Sequence, residues 1–202
     1  MDPITIAFFG ISGSGKGTQA DLLERFLKTY SLPDGSMREV LRAEMGQFAR
    51  TFMKSDSQLA KRAGEIVSSG GLLPSFVPIY LLVEYFVKQN VKGDEHFIFD
   101  GTFRKPFQSL IGDEIAAFYD RKIRHSIVLD LSKDAAKKRL VARGRHDDAT
   151  EDALNRRFAW YEEDVVPAIK TLEEKGWTTV HINGDQAVEE VHKHILSALG
   201  LS

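Results

Sequence analysis

The sequence predicts an α/β fold in which helices cover both faces of a five-stranded parallel sheet, a doubly wound arrangement. Two observations favour this fold. Four runs rich in β-branched and aromatic residues are continuously apolar, which is typical of strands buried on both faces. The segments between these runs repeat apolar residues every three or four positions, which is typical of helices. A chain of 202 residues suffices for one such domain, and we expect residues 1–202 to form it.

The predicted strands follow the chain in order, with one departure from regular alternation of strand and helix. The four apolar runs are residues 4–9, 96–99, 126–131 and 178–182. A short fifth strand is expected near residues 30–32. Residues 36–74 show helical periodicity without an intervening apolar run, so we expect a helical insertion there.

Composition and charge limit the classes of function. Hydrophobic residues make up 43% of the chain and charged residues 28%, as in ordinary globular proteins, and the formal net charge is -2. Such a chain has no overall attraction for nucleic acid or for an anionic membrane, so we expect neither as a partner. Any anionic ligand must therefore be held by a local group of cations.

The cellular location is predicted from two further features. The chain contains no cysteine, which fits a reducing compartment. Its first residues, MDPITIAFFG, carry an acid where a signal peptide has basic residues, and no later stretch approaches about eighteen consecutive apolar residues. We therefore expect no signal peptide, no membrane span and a cytoplasmic location.

The segment FFGISGSGKGTQ, residues 8–19, joins the first predicted strand to the first predicted helix. Glycine lets the backbone N–H groups of such a loop turn inward and lets a ligand approach closely. The start of a helix favours negative charge, and Lys16 adds a full positive charge. The segment therefore predicts a polyphosphate site, and the alternative is a glycine-rich turn with a surface lysine. The general phosphate-loop pattern has a hydroxyl residue after the lysine, where this chain has Gly17 and then Thr18.

This form of the loop, GISGSGKGTQ, closely resembles that of the adenylate kinase and wider nucleoside monophosphate kinase family, in which Gly-Thr-Gln follows the lysine. The resemblance implies a P-loop kinase fold and a loop that binds the phosphates of ATP. The residues implied in ATP binding are Gly10, Ser12, Gly13, Ser14, Gly15, Lys16, Gly17 and Thr18.

A second segment, FIFDGTFRKPFQ, resembles the family's Asp-Gly-Phe-Pro-Arg segment followed four residues on by glutamine. A carboxylate at the end of a strand beside a phosphate loop is suited to hold Mg²⁺, directly or through water. The candidate metal residues are Asp100 and Thr18. The resemblance implies that Gly101 and Arg104 contact the acceptor and that Gln108 hydrogen-bonds an adenine edge. In place of the family's Phe-Pro pair this chain has Thr102 and Phe103.

Two further segments resemble the acceptor side of the family. GSMREVLRAEM resembles the Ser-Thr-Gly-Asp-x-x-Arg stretch that opens the acceptor-binding helices, and GGLLPSF resembles a turn whose backbone lines the base. The residues implied in binding the nucleoside monophosphate are Ser36, Met37, Arg42 and Leu73. The alternative for Arg42 is a solvated position on a helix.

The segment KKRLVARGRHDDATEDALNRRFAWYEED resembles a very short form of the family's lid, residues 143–157. Arg139 and Arg143 lie four residues apart on one predicted helix face, so both can reach one anion. The arginines implied around the bound phosphates are Arg139, Arg143, Arg145 and Arg157, with Arg156 as the alternative to Arg157. Asp185, in the turn after the last predicted strand, is implied in ATP binding.

The resemblance as a whole implies transfer of the γ-phosphoryl group of Mg-ATP to a nucleoside monophosphate, with AMP as the expected acceptor. Such transfer needs alignment and neutralised oxygens, and it needs no general base. The residues expected to accelerate it are Lys16, Arg104, Arg139, Arg143 and Arg157. The alternatives are another acceptor, such as CMP, UMP or a small metabolite, and a catalytically weak nucleotide-binding protein. A monomer is expected by analogy with the family.

Overall fold

The computed structural model describes residues 2–32, 35–144 and 150–201, which contain a five-stranded sheet. Its strands are β1 (Ile4–Gly10), β2 (Val40–Glu44), β3 (His96–Asp100), β4 (Ile123–Asp130) and β5 (Thr178–Asn183). Every neighbouring pair is parallel, and the spatial order is β2-β3-β1-β4-β5. The predicted five-stranded parallel sheet is confirmed.

Helices lie on both faces of this sheet. They are α1 (Lys16–Thr29), α2 (Met45–Phe52), α3 (Gln58–Ser68), α4 (Phe76–Gln89), α5 (Pro106–Phe118), α6 (Lys133–Arg143), α7 (Glu151–Trp160), α8 (Val166–Glu174) and α9 (Val188–Ala198). A π-helical turn, Tyr161–Val165, joins α7 to α8. Buried side chains of α1 and α9 form one core, and those of α2, α4, α5 and α8 form another. The doubly wound arrangement is therefore confirmed.

The central strand β1 explains why the predicted strands are continuously apolar. Ile4, Ile6 and Phe8 belong to the core of α1 and α9, whereas Ala7 and Phe9 belong to the core on the other side. All five side chains are at most 2% exposed. Successive side chains of a strand point to opposite faces, so burial of both faces requires apolar residues at every position.

The fifth strand does not lie where the sequence predicted it. Residues 30–32 fall between α1 and β2, and the strand is Val40–Glu44, inside the insertion that was expected to be helical throughout residues 36–74. Val40 packs into the core of α1, and Leu41 packs against the opposite core, as alternation along a strand requires. The apolar series Leu41, Met45 and Phe48 crosses from β2 into α2 with helical spacing, so the two elements resemble one helix in sequence.

Strand register brings the carboxyl ends of neighbouring strands together at one edge of the sheet. Phe8 of β1 lies opposite Asp100 of β3, and Asp100 also lies opposite Glu44 of β2. On the other side of β1, Gly10 lies opposite Leu129 of β4. The segments that follow these parallel strands therefore leave from the same edge, which is where ligands bind in sheets of this kind.

The loop after β3 is held on both sides by the residues that follow Gly101. The Thr102 hydroxyl donates a hydrogen bond to the carbonyl oxygen of Ala43 in β2, at 2.9 Å. The ring of Phe103 is 3% exposed and lies against Gly112 of α5. A Cβ atom at position 112 would lie only 2.4 Å from Cζ of Phe103, so the ring occupies the space that a side chain would need. These two contacts fix the loop to β2 and to α5.

The contact between Phe103 and Gly112 gives a prediction about stability. Gly112→Ala should lower the free energy of unfolding by about 1–3 kcal/mol, because the new methyl group overpacks a buried contact. Thermal or urea unfolding measures the change. Gly64→Ala in α3 is the matched control, since a Cβ there meets nothing within 4 Å, and alanine in a helix is expected to stabilise by up to about 1 kcal/mol. Equal stability of the wild-type and Gly112→Ala proteins would contradict this packing.

A helix that crosses a membrane must be both long enough and apolar enough to span the bilayer. Within the described ranges, no helix of this protein is both.

Candidate active site

The glycine-rich segment forms a tight loop between β1 and α1. Gly10 and Gly13 both have positive φ angles, 140° and 87°. A Cβ at Gly10 would lie 2.6 Å from the carbonyl oxygen of Leu129, and one at Gly13 would lie 2.9 Å from that of Ala136. Glycine is therefore required at both positions for conformation and for space. The loop ends where α1 begins at Lys16, so the first N–H groups of the helix are available to an anion.

Lys16 folds back over this loop. Its Nζ donates hydrogen bonds to the carbonyl oxygens of Gly10, at 2.8 Å, and Ile11, at 3.0 Å. Burial lowers the pKa of Lys16 to about 8; the carboxylate of Asp100 opposes that shift, and the guanidinium groups of Arg104 and Arg143 add to it. An added anion would stabilise the charged form of Lys16 in these surroundings. A phosphate group bound on the loop would be such an anion.

One cleft of about 700 Å³ runs along the carboxyl edge of the sheet and continues away from the loop. Many of the residues predicted from sequence line it. They are Ser12, Gly13, Ser14, Gly15, Lys16, Gly17, Thr18, Arg42, Leu73, Asp100, Gly101, Arg104, Gln108, Arg139, Arg143 and Arg157. Gly10 is the last residue of β1, and its carbonyl oxygen accepts the hydrogen bond of Lys16. Asp185 lies beside the cleft, with its carboxylate 3.3 Å from Arg139 Nη2.

Ser36 and Met37 do not reach this cleft. They precede β2, so they lie toward the amino edge of the sheet, and Met37 is 62% exposed. The whole length of β2 separates them from the carboxyl edge, so the structure does not bring these two residues together with the other predicted site residues. Arg145 falls outside the described residues.

Arg42 lies on strand β2 instead of a helix, and carboxylates surround it. Its Nη2 donates to Asp100 Oδ2 at 2.7 Å, and its Nη1 contacts Asp21 and lies 3.5 Å from Glu24 Oε2. Burial alone would lower the pKa of Arg42, but the hydrogen bonds with Asp100 and Asp21 outweigh it and raise the pKa above its ordinary value. The charge of Arg42 is thus already neutralised by protein groups.

The sequence interpretation missed a second arginine near β2. Arg50 of α2 lines the cleft, and its Nη2 lies 3.1 Å from Glu44 Oε1. Gly46 and Arg50 also have the spacing of glycine and arginine in the stretch Ser-Thr-Gly-Asp-x-x-Arg. That spacing is a usable signal in the sequence, and it lies eight residues after the segment Ser36 to Arg42 to which the sequence analysis assigns the resemblance. Glu44 to Arg50 is the segment that the fold brings to the cleft.

The loop after β3 holds Arg104 and Gln108 together. Arg104 Nε donates to the carbonyl oxygen of Gly101 at 3.0 Å, and its guanidinium carbon lies 5.7 Å from the ring centroid of Trp160. Gln108 is buried, and its Oε1 accepts a hydrogen bond from the backbone N–H of Arg104 at 2.8 Å. Its Nε2 donates to Ser75 Oγ at 3.3 Å. An amide has two N–H donors and an oxygen with two lone pairs, so Gln108 retains capacity to contact a ligand.

Helices α6 and α7 contribute arginines from the other side of the cleft. Arg139 Nη1 donates to the carbonyl oxygen of Gly184 at 3.0 Å, which directs this side chain toward the end of β5. Arg143 is the last residue of α6. Arg157 lines the cleft, whereas the exposed Arg156 donates to the carbonyl oxygen of Ser69 at 3.1 Å. Of these two neighbours, Arg157 is therefore the one oriented toward a cleft ligand.

The residues present fit a magnesium ion held together with a nucleotide. Asp100 and Thr18 offer only oxygen atoms, which is the donor type that Mg²⁺ prefers, and both line the cleft beside Gly17. In the described part of the chain, no group of three or more His, Asp or Glu side chains could hold a metal ion by itself. Mg²⁺ commonly binds through one or two carboxylates, substrate phosphates and water, so one carboxylate and one hydroxyl suit it.

Comparisons with known proteins agree over nearly the whole chain. Residues 8–177 match the sequence profile of the family described as Adenylate kinase. The adenylate kinase of Azobacteroides pseudotrichonymphae is 33% identical in an alignment of 202 positions, gaps included, that covers 97% of each chain. Adenylate kinase 1 of Nostoc sp. is 32% identical, covering 96% of this chain and 98% of the relative. The uridylate kinase of Saccharomyces cerevisiae is 29% identical, covering 98% of this chain and 92% of the relative.

The extent of these matches and the phosphate loop lead to one conclusion. A family profile that covers residues 8–177 includes the loop, the cleft arginines, the end of β1 and the whole of β2, β3 and β4. The chain therefore belongs to the adenylate kinase family, and it is a phosphotransferase enzyme with nucleoside monophosphate kinase activity.

Proposed function

We propose that the enzyme transfers the γ-phosphoryl group of Mg-ATP to AMP and so forms two molecules of ADP. One observation carries the proposal. A single cleft is lined by the phosphate loop, by Arg50, Arg104 and Gln108, and by Arg139, Arg143 and Arg157. Two nucleotides can therefore meet through their phosphates in one space.

The donor nucleotide binds with its phosphates on the glycine-rich loop. Backbone N–H groups of the loop and of the first turn of α1 receive the phosphate oxygens, and Lys16 follows the group that is transferred. Thr18 and Asp100 would hold the magnesium ion. When bound, that ion neutralises phosphate oxygens and orients them.

The acceptor phosphate binds to Arg50 and Arg104. Both arginines line the cleft together with Gln108, and guanidinium groups match the geometry of phosphate. We assign this role to Arg50 in preference to Arg42, because Arg42 is already enclosed by Asp100, Asp21 and Glu24.

The acceptor base lies against apolar side chains near Gln108. Apolar residues that line the cleft and could receive the base are Met45, Met53, Leu73 and Pro78. An adenine edge presents both a donor and an acceptor, and the Gln108 amide can satisfy both. The names of the two adenylate kinase relatives also support AMP.

Phosphoryl transfer itself requires alignment and charge neutralisation. The bond from the γ-phosphorus to the bridging oxygen of ATP breaks while a bond forms to an oxygen of the AMP phosphate. Arg139, Arg143 and Arg157 neutralise the charge that spreads over the transferring group, and no general base is needed. The short lid predicted at residues 143–157, of which 145–149 lie outside the described part of the chain, would exclude water from the phosphates and prevent hydrolysis of ATP.

ADP formation from Mg-ATP with AMP, CMP, UMP, GMP or no acceptor tests the proposed substrate. We expect turnover with AMP to exceed that with each other monophosphate. A preference for UMP would support the alternative suggested by the uridylate kinase relative, and it would contradict the role of Gln108.

Gln108→Ala should raise the KM for AMP more than the KM for ATP, because only the acceptor base contacts that amide.

The role of Lys16 predicts a specific loss of turnover. Lys16→Met should lower kcat by about 100-fold or more, since it removes a charge that stabilises the transferring group. Thermal stability should change little. Lys28→Met, on the same helix, is the matched control and should retain wild-type kcat, because Lys28 is exposed and pairs with Glu24. A folded Lys16→Met enzyme with full activity would refute the assignment.

The role of Arg50 predicts a change confined to the acceptor. Arg50→Met should raise the KM for AMP by about 10- to 100-fold, the value of one charged hydrogen-bonding group, and should leave the KM for ATP nearly unchanged. Steady-state kinetics with each substrate varied in turn gives both values. Arg62→Met, an exposed arginine of α3, should alter neither KM. An unchanged KM for AMP in the Arg50→Met enzyme would exclude Arg50 from the acceptor site.

A further inference from the structure

Trp160 is the last residue of α7, and it lines the cleft. It is half-buried and packs against the same core as Leu73 of the acceptor side. Arg157, three residues earlier on α7, lines the cleft as well. Residues three apart on a helix share a face, so α7 directs both side chains to one space. The steps of phosphoryl transfer proposed above do not use Trp160.

A hydrogen bond and a close backbone contact fix the position of the indole group. Trp160 Nε1 donates to the carbonyl oxygen of Gly70, just beyond the end of α3, at 3.0 Å. A Cβ atom at Gly70 would lie 2.6 Å from the carbonyl oxygen of Ala153, so the backbone of α7 lies directly against this turn. Because the indole has a single N–H donor, its bond to Gly70 restricts the orientation of the ring.

The guanidinium group of Arg104 lies over the ring of Trp160. Its carbon atom is 5.7 Å from the ring centroid, within the distance of about 6 Å at which an aromatic face attracts a cation. The hydrogen bond from Arg104 Nε to the carbonyl oxygen of Gly101, at 3.0 Å, holds the same group from another side. A ring attracts the cation without carrying a negative charge, so it does not compete with a phosphate as a carboxylate would.

Nearby cations make this attraction important for Arg104. Burial is the main cause of the lowered pKa of Lys16, and the positive charges of Arg104 and Arg143 lower it further. The same repulsion acts on Arg104, whose long side chain has several rotatable bonds and would move away from the other cations. Contact with the Trp160 ring opposes that movement before an acceptor phosphate arrives.

We propose that Trp160 is a positioning residue for the acceptor, because its ring holds the guanidinium group of Arg104 where the acceptor phosphate binds. The hydrogen bond to Gly70 keeps the ring facing Arg104. The inference rests on the acceptor role proposed above for Arg104. Since Trp160 acts through Arg104, its loss weakens binding of the acceptor and leaves the ATP phosphates on the glycine-rich loop nearly unaffected.

Steady-state kinetics of Trp160→Leu tests this role. We expect kcat/KM for AMP to fall about 3- to 30-fold, the value of one cation–π interaction, and the fall should lie mainly in KM. The KM for ATP should change by less than about twofold, because ATP binding does not depend on the ring. Trp160→Phe keeps an aromatic ring and loses the N–H group, so its value should lie between those of the wild-type and Trp160→Leu enzymes.

Tyr80→Leu is the matched control, since Tyr80 is an exposed aromatic residue of α4 that does not line the cleft. It should leave both KM values at the wild-type level. An unchanged kcat/KM for AMP in the Trp160→Leu enzyme would overturn the proposal. A rise in the KM for ATP as large as that for AMP would overturn it too, because damage to the fold would explain both.

A double-mutant cycle with Arg104→Met separates positioning of Arg104 from any other effect of the tryptophan. In the Arg104→Met background, Trp160→Leu should lower kcat/KM for AMP by less than about twofold, because the group that the ring holds is already absent. The ratio kcat/KM remains measurable even where AMP no longer saturates the enzyme. An equal loss in both backgrounds would show that Trp160 does not act through Arg104.

Fluorescence gives a second readout that is independent of turnover. The chain has two tryptophans, and Trp177 is 3% exposed with its Nε1 bonded to Asp113 at 3.0 Å. AMP should change the emission of the wild-type protein, since the phosphate draws Arg104 against or away from the Trp160 ring. Adenosine, which lacks the phosphate, should not. In the Trp160→Phe protein AMP should leave the emission unchanged, and a response that persists there would contradict the proposal.

Failure of this inference can be told apart from failure of the proposed function. A wild-type enzyme that phosphorylates another monophosphate and not AMP would refute the proposed acceptor alone. The cycle is then run with that monophosphate, because Arg104 is assigned to the phosphate that all these acceptors share. Turnover with AMP that Trp160→Leu does not alter would refute the role of Trp160 alone.

Discussion

The parallel pairing of β1 with β3, with Phe8 opposite Asp100, is the constraint on which the geometry of the cleft depends. It sets the phosphate loop, which follows β1, beside the carboxylate that ends β3. The pairing of β2 with β3 then sets Glu44, and the start of α2, at the same level. Each of these segments leaves the sheet at its carboxyl edge, so residues far apart in sequence face one space. A change of register in either pair would separate them.

Charge in the cleft is balanced by pairs that already exist within the protein. The chain as a whole has a net charge of -2, so it gains its affinity for phosphate locally. Lys16 contacts backbone carbonyl groups, and its lowered pKa reflects burial among arginines. Arg42 instead neutralises Asp100 and Asp21. Arg42 thus contacts several carboxylates at once, whereas the ion pairs of Arg50 and Arg139 are with Glu44 and Asp185.

The sequence predicted the parts of the structure that depend on consecutive residues. The phosphate loop is one uninterrupted segment, and four strands are continuous apolar runs, so both could be recognised directly. β2 could not, because its apolar series continues into α2 with helical spacing. For the same reason the sequence predicts the acceptor segment at Ser36 to Arg42, whereas the proposed acceptor segment is Glu44 to Arg50, eight residues later. The choice between Arg156 and Arg157 required the rotation of α7, which sequence spacing alone does not supply.

The close contact of Phe103 with Gly112 also restricts how related sequences can diverge. In the family resemblance the position of Phe103 belongs to proline, whose compact ring would not fill the space over α5 in the same way. A Cβ atom at position 112 and the ring at position 103 compete for the same space. The cost of a side chain at position 112 therefore depends on the residue at position 103, and it should fall where that residue is smaller than phenylalanine.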